Sequence, residues 1–314
     1  MKKKVVINAI LFVLFVAGLV VILYRANYVL RHKEYAGVQD KFAEMPENSI
    51  DVVYIGSSHQ FCSISPEILY DEYGMETFML ATSAQTVPMS YYAAMEAIEL
   101  QKPEMIVFEV SYLANDFRTV TDEMSHCFFD GMPECEAKYL GIEDLIEKEN
   151  RINFYALLGT YHSRWKELTE KDFSMTQFTE RGGVYYENVV YNPPIQLIPK
   201  TETEMIPVEM EKYLDKMVKL CTENDVELVL YAAPFNTLYD SEYETEMLNM
   251  RQRMFNYVGE YAKEHKLRYY NLFYEIEEIG LNGETDWMDR QHLNCYGQAK
   301  FTRYMAEQGY LAWE

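Results

Sequence analysis

Basic side chains are scarce beyond the start of this 314-residue chain. Lys2, Lys3, Lys4, Arg25, Arg31 and Lys33 precede the first acidic residue, Glu34, and the other 22 face 50 Asp and Glu, a balance of −28. A body so acidic repels phosphate backbones, which argues against nucleic acid as a partner. No Walker-type loop and no Gly-x-Gly-x-x-Gly run occurs. A nucleotide is therefore not indicated, and no other cofactor is expected. There are only five cysteines (Cys62, Cys127, Cys135, Cys221 and Cys295), an odd number that leaves at least one thiol unpaired. Cys127 and Cys135 could bridge in an oxidising compartment; buried thiols are the alternative. Internal repeats are lacking. With 49% hydrophobic residues the chain can fill one large core or two small ones.

What is present begins with "VVINAILFVLFVAGLVVILY", Val5 to Tyr24, in which Asn8 is the one polar residue. At about 1.5 Å per residue this run spans roughly 30 Å, the thickness of a bilayer's hydrocarbon core. It exceeds the usual signal-peptide core and lacks a small-x-small cleavage site, so an uncleaved anchor is expected, with a cleaved signal peptide as the alternative. Lys2 to Lys4 favour a cytoplasmic N-terminus, which puts the acidic body outside the membrane. Residues 1–33 are then the anchor and its flanks in a single-pass cell-membrane protein, and 34–314 the domain. No later run is long and apolar enough to span.

After a helical neck over 25–48, ending in a turn at Pro46-Glu47-Asn48, short apolar runs alternate with helical ones. "DVVYIG" (Asp51 to Gly56), "TFMLA" (Thr77 to Ala81) and "EMIVFEV" (Glu104 to Val110) read as strands buried on both faces. Pro66 to Gly74 and Pro88 to about Leu100 read as the helices between them. Later, helices over about Val208–Asn224 and Glu242–His265 precede strands at Val226–Pro234 and Leu267–Phe273. A last helix, about Cys295 to Gln308, has Asn294 as its N-cap. The fold class is α/β, a three-layer α/β/α sandwich with a mostly parallel five-stranded sheet. An insertion at about 112–207 interrupts it, with a helical segment around Asn153 to Leu168 and a turn at Pro193-Pro194. Starting at a strand's carboxyl end, it is placed either as a lid or as a structural elaboration.

Two stretches carry chemistry. "IGSSHQFC" (Ile55 to Cys62) puts two serines at the end of the first strand. "DWMDRQHLNC" (Asp286 to Cys295) puts Asp289 three residues before His292, just ahead of the final helix. A serine nucleophile must lose its proton as it attacks, and a neutral imidazole takes it. A carboxylate on the other ring nitrogen fixes the tautomer. Ser58, at the end of strand one, sits where the loop after the last strand can deliver His292.

Gly56-Ser57-Ser58 and Asp289-Arg290-Gln291-His292 together resemble the SGNH/GDSL-type hydrolase superfamily, over roughly 50–115 and 205–310. The resemblance implies Ser58 as nucleophile, His292 as base, Asp289 as its orienting acid, and the Ser58 N–H in the oxyanion hole. The family's second and third blocks are altered. Ala84 in "TSAQT" stands nearest the glycine donor, and Asn115 in "EVSYLAND" is the candidate side-chain donor or simply caps a turn. A Gly-Ser-Ser motif with an N-terminal anchor is similar to membrane-anchored cell-envelope polymer acylation proteins, of the teichoic-acid D-alanylation and alginate O-acetylation types. That likeness implies an extracytoplasmic esterase or O-acyltransferase acting on acetyl or other acyl esters of a polysaccharide or related polymer. It also implies a multi-pass membrane-bound O-acyltransferase as partner. The altered blocks keep a second expectation open: a catalytically silent glycan-binding or scaffolding subunit of such a complex.

Other features have plainer readings. His59-x-x-Cys62 and His292-x-x-Cys295 form two matching pairs that a Cys₂His₂ zinc site could use if the loops converged. Both pairs run on into helical or apolar sequence, so no metal is expected, and His59 is read as packing or hydrogen-bonding beside the nucleophile. Glu109 ends the third strand, facing the pocket, capping or forming a salt bridge. Tyr161, His162, Arg164 and Trp165 cluster at helical spacing, for packing or for a glycan or partner.

Overall fold

The computed structural model describes residues 2–31, 37–115, 121–174, 177–191, 198–235 and 242–312. Helix α1, Lys2–Leu30, is apolar all round, and none of its most hydrophobic window is buried inside the protein. It is long and apolar enough to cross a membrane. Its C-terminal carbonyls, which no helical N–H can reach, are taken by Arg164: Nη1 donates to Leu30 O at 2.6 Å and Arg31 O at 3.0 Å. Arg31 in turn donates to Asp130 O and to the Asp40 carboxylate. The neck expected over 25–48 is the end of α1 plus α2, Gly37–Glu44, with 32–36 outside the described residues.

The body then runs β1 (Val52–Gly56), α3 (Ser58–Ser63), α4 (Pro66–Tyr73), β2 (Thr77–Ala81), α5 (Val87–Gln101) and β3 (Met105–Glu109). Between β3 and β4 come α6 (Asp122–Phe129), α7 (Glu136–Leu145), α8 (Arg151–Tyr155), α9 (Leu157–Thr160) and α10 (Val208–Glu223). The chain ends with β4 (Glu227–Ala232), α11 (Glu242–His265), β5 (Arg268–Asn271), α12 (Ile276–Ile279) and α13 (Cys295–Glu307). The five strands and α4, α5, α10, α11 and α13 fall within two residues of their expected ends. The sheet order is β2-β1-β3-β4-β5, every pair parallel.

Both faces of the sheet are covered, as continuous apolar strands require. Val53, Ile55, Phe78, Leu80, Ile106 and Phe108 point into one core with residues of α2, α5, α10 and α11. Val52, Tyr54, Met79, Met105, Val107 and Tyr231 point into the other, with α3, α4, α12 and α13. That two-fold alternation makes the three layers. Local signals set the helix ends: Thr86 Oγ1 accepts the Met89 N–H at 3.3 Å at the head of α5, and Gly74 closes α4 at φ 69°.

The inserted segment is mostly elaboration of the α5 face. Phe128, Phe129, Phe154 and Ile142 join the core that α5 helps to build. The single helix expected over Asn153–Leu168 is broken into α8, α9 and a 3₁₀ turn at Arg164–Lys166. Ala156 leaves helical geometry at ψ 53°, and the Thr160 hydroxyl donates to Asn153 O at 2.8 Å, competing with the backbone ladder. Tyr161 and Arg164 serve packing, bonding Asp130 and the end of α1. The Pro193-Pro194 turn lies outside the described residues. Further along, Arg181 O accepts the Met79 N–H at 2.9 Å, covering the outer edge of β2.

Gly56 marks a close approach between β1 and α3. Its φ is 155°, and a Cβ there would stand 2.9 Å from Gln60 Cβ and 3.4 Å from Glu109 Cβ. Replacement by alanine therefore forces an unfavourable φ and pushes α3 away from the sheet. Gly56→Ala is expected to lower stability by about 1–3 kcal/mol, read as a fall in the urea midpoint at unchanged slope.

Candidate active site

The strand order makes β1 the place where successive connections depart to opposite sides, β2 on one flank and β3 on the other. In open parallel sheets the crevice outside such a point is where ligands bind. Ser57 and Ser58 emerge there. Gly56 lets the chain double back at once into α3, so Ser58 becomes the helix's first residue. The two serines differ in surroundings. Ser57 is buried and its Oγ has no hydrogen-bond partner, whereas Ser58 is part-exposed.

His292 reaches Ser58 from the loop before α13. Its Nε2 lies 2.8 Å from Ser58 Oγ, and its Nδ1 lies 2.8 Å from Asp289 Oδ2. Asp289 Oδ1 accepts the backbone N–H groups of Gln291 at 2.7 Å and His292 at 2.8 Å, so the acid also shapes the turn that presents the base. Partial burial works against ionising this carboxyl, yet the hydrogen bonds from the His292 ring and the two amides prevail and bring it down to about 2. Asp289 is thus a carboxylate at any neutral pH, and the imidazole nitrogen facing it carries the proton.

The loop is braced from beneath. Asn294 caps α13 by accepting the Tyr296 and Gly297 N–H groups, while its Nδ2 donates to Thr285 O at 2.8 Å and more weakly to Trp287 O at 3.4 Å. The buried Asp286 carboxylate takes the Asn282 N–H at 2.7 Å and Lys300 Nζ at 2.6 Å. The inserted segment adds a third tie: Val190 N donates to Trp287 O at 2.9 Å and Cys295 N to Tyr186 O at 2.8 Å.

His59, the residue after Ser58, is buried, its ring centre 4.8 Å from that of His292 and 5.6 Å from that of Phe235. Burial first, then the neighbouring His292 and Arg251, push its pKa well down, so it packs as a neutral ring. Cys62 Sγ faces Met288 Sδ at 4.0 Å, and its thiol is raised by burial. All five cysteines are buried and none forms a disulfide. Among the described residues no three His, Cys, Asp or Glu side chains converge as a metal's ligand set. Glu109 caps: its carboxylate accepts the Ser111 hydroxyl at 2.6 Å, the Ser111 N–H at 3.1 Å and the Ala233 N–H at 3.3 Å, tying the ends of β3 and β4 together.

Ala84 lies in the turn after β2, with φ 54°. Asn115 ends the 3₁₀ turn after β3, donating its N–H to Tyr112 O at 3.1 Å. Neither belongs to the hydrogen-bonded chain of Ser58, His292 and Asp289. A cleft of about 590 Å³, lined by Phe61 of α3, Thr82, Ser83, Lys171, Tyr185 and Tyr186, opens beside the Ala84 turn. Phe235 and Arg251 beside His59 carry no sequence signal; only the return of β4 and α11 to this edge brings them there.

No protein-family model matches the chain, and no curated protein is similar to it at a significant level. Among solved structures it is similar to the crystal structure of TesA, with 9% identity, a TM-score of 0.39, and coverage of 82% of this chain and 97% of that one.

Burial pushes the Glu109 carboxyl up to about 7, against the hydrogen bonds it accepts and the nearby Arg251. Between its ordinary 4.5 and that value the folded chain holds a proton that the unfolded chain has released. Stability from this group therefore falls as pH rises through that window. Urea midpoints from pH 4.5 to 8 should show this slope in the wild type and a flatter one in Glu109→Gln.

Proposed function

We propose that this chain is a membrane-anchored, outward-facing serine esterase or O-acyltransferase, acting on acetyl or other small acyl esters of a cell-envelope polysaccharide or related polymer. The observation that supports it is the unbroken hydrogen-bonded chain from Ser58 through His292 to Asp289, at 2.8 Å for each link. Ser58 Oγ attacks the ester carbonyl carbon as His292 Nε2 takes its proton, and Asp289 stabilises the imidazolium. The tetrahedral oxyanion collapses, the alkoxide leaves with the proton from His292, and the acyl group stays on Ser58. Water or a sugar hydroxyl then attacks the acyl-enzyme, His292 again taking the proton, which restores the serine and releases acid or transferred ester.

The oxyanion needs donors where its charge develops. The Ser58 N–H, at the head of α3 with no carbonyl one turn before it, is the first. The Ala84 N–H, in its left-handed turn, and the Asn115 side chain are the further candidates. The apolar run of α1 over Val5–Tyr24 supports an anchored protein, and the lysines leading it support an outward body. A polymer on the outer face and a multi-pass acyltransferase supplying the acyl group in the membrane are the substrate and partner such a placement suits.

Incubating the detergent-solubilised full-length protein with a fluorophosphonate probe tests the chemistry. Wild type should label; Ser58→Ala and His292→Ala should not, and Asp289→Asn should label slower by about 10²–10⁴. Absence of labelling in intact wild type would leave the silent, scaffolding reading instead. Topology has its own measurement: protease added to intact cells should digest the body, and a protected body would reverse the orientation.

A further inference from the structure

Arg251 is the unusual cation of the site. It lies on α11, and its guanidinium carbon is 5.4 Å from the centre of the Phe235 ring. Phe235 adjoins His59, and His59 adjoins His292, so a planar cation stands two rings from the base. Seven other arginines, Arg31 and Arg253 among them, pair with carboxylates. Among the described residues Arg251 has no carboxylate within ion-pair distance, although the body carries 50 acidic groups. Its Nη1 is also buried without a hydrogen bond. A buried donor left unmade is costly, and more so when charged. Such a group calls for a partner. Glu109, the buried acid of this edge, already accepts from Ser111 and Ala233.

A guanidinium presents its donors as a fork that matches the paired oxygens of a carboxylate or a phosphate, and stacking on an aromatic ring holds its plane. We infer that Arg251 binds an anionic oxygen group of the polymer, a carboxylate or a phosphodiester, close to the ester that Ser58 opens. Arg251 is then a specificity residue that selects acidic over neutral polymers, in a protein whose own charge otherwise repels them. This rests on the esterase reading for its meaning, but the binding itself does not require turnover.

The test is therefore made by calorimetry on the full-length Ser58→Ala protein in detergent, which binds without reacting. The probes are a galacturonate oligomer, a glycerol-phosphate oligomer and a neutral glucose oligomer of equal length. One acidic probe should bind at least about tenfold more tightly than the neutral one, and which of the two does so identifies the anion. Adding Arg251→Gln should abolish that advantage while leaving the neutral probe unchanged. Arg251→Lys, which keeps the charge and loses the fork, should fall between, and serves if the glutamine variant folds poorly. Equal binding of all three probes, or an acidic preference that survives both substitutions, overturns the inference. Failure of fluorophosphonate labelling with the acidic preference intact would instead remove the esterase reading and leave the anion site standing.

Discussion

The 2.8 Å contact between Ser58 and His292 joins residues 234 positions apart, and the rest of the structure can be read as what makes that contact possible. Both partners are positioned first by backbone. Ser58 is placed by backbone: Gly56 approaches Gln60 so closely that any Cβ would push it away, and α3 starts two residues on at Ser58. His292 is placed by a loop anchored at Asp286, Asn294 and Asp289, each binding backbone N–H groups with a carboxylate or amide oxygen. A site built in this way has little freedom to lose when a ligand binds, which is what preorganised chemistry requires.

The parallel sheet supplies the common frame. All five strands end at one edge, so the residues following β1, β3 and β4 gather there without further design. Glu109 links two of those ends and holds a proton for it near neutral pH, a consequence of burying a carboxyl among donors too few to offset its desolvation. His59 solves a related problem differently. Burial keeps its ring neutral, packed against Phe235 and His292.

The core elements were legible in the sequence because doubly buried strands are short, wholly apolar runs, and because Pro66, Gly74 and Asn294 mark helix ends chemically. The Ser58, His292 and Asp289 grouping was legible for a similar reason: its order along the chain and its positions beside a strand end and a helix start imply one edge. The helix expected at Asn153–Leu168 was not, because helical spacing cannot reveal that Thr160 bonds back to Asn153 or that Tyr161 and Arg164 are drawn to Asp130 and α1. Arg251 was invisible for a stronger reason. Its meaning lies in having no ion-paired carboxylate among the described residues, and absence of a contact is a property of the fold alone.

The join between α1 and the body gives the proposed anchoring a mechanical side. A flexible tether would let the site sample a wide volume, diluting it against any one membrane neighbour. Here Arg164 closes the last carbonyls of α1 while also holding Asp172, and Arg31 reaches Asp130 and Asp40, so the helix end is bonded to both the insertion and α2. Asp130 also receives Tyr161 and faces His126, whose ring stacks on Phe154 at 4.0 Å in the insertion core. The inserted helices thus take the orientation of α1 and pass it to α5 and the sheet. With the helix seated in a bilayer, the height and facing of the Ser58 edge follow from packing rather than from diffusion, which is the arrangement a reaction handed over from a membrane-embedded partner would need.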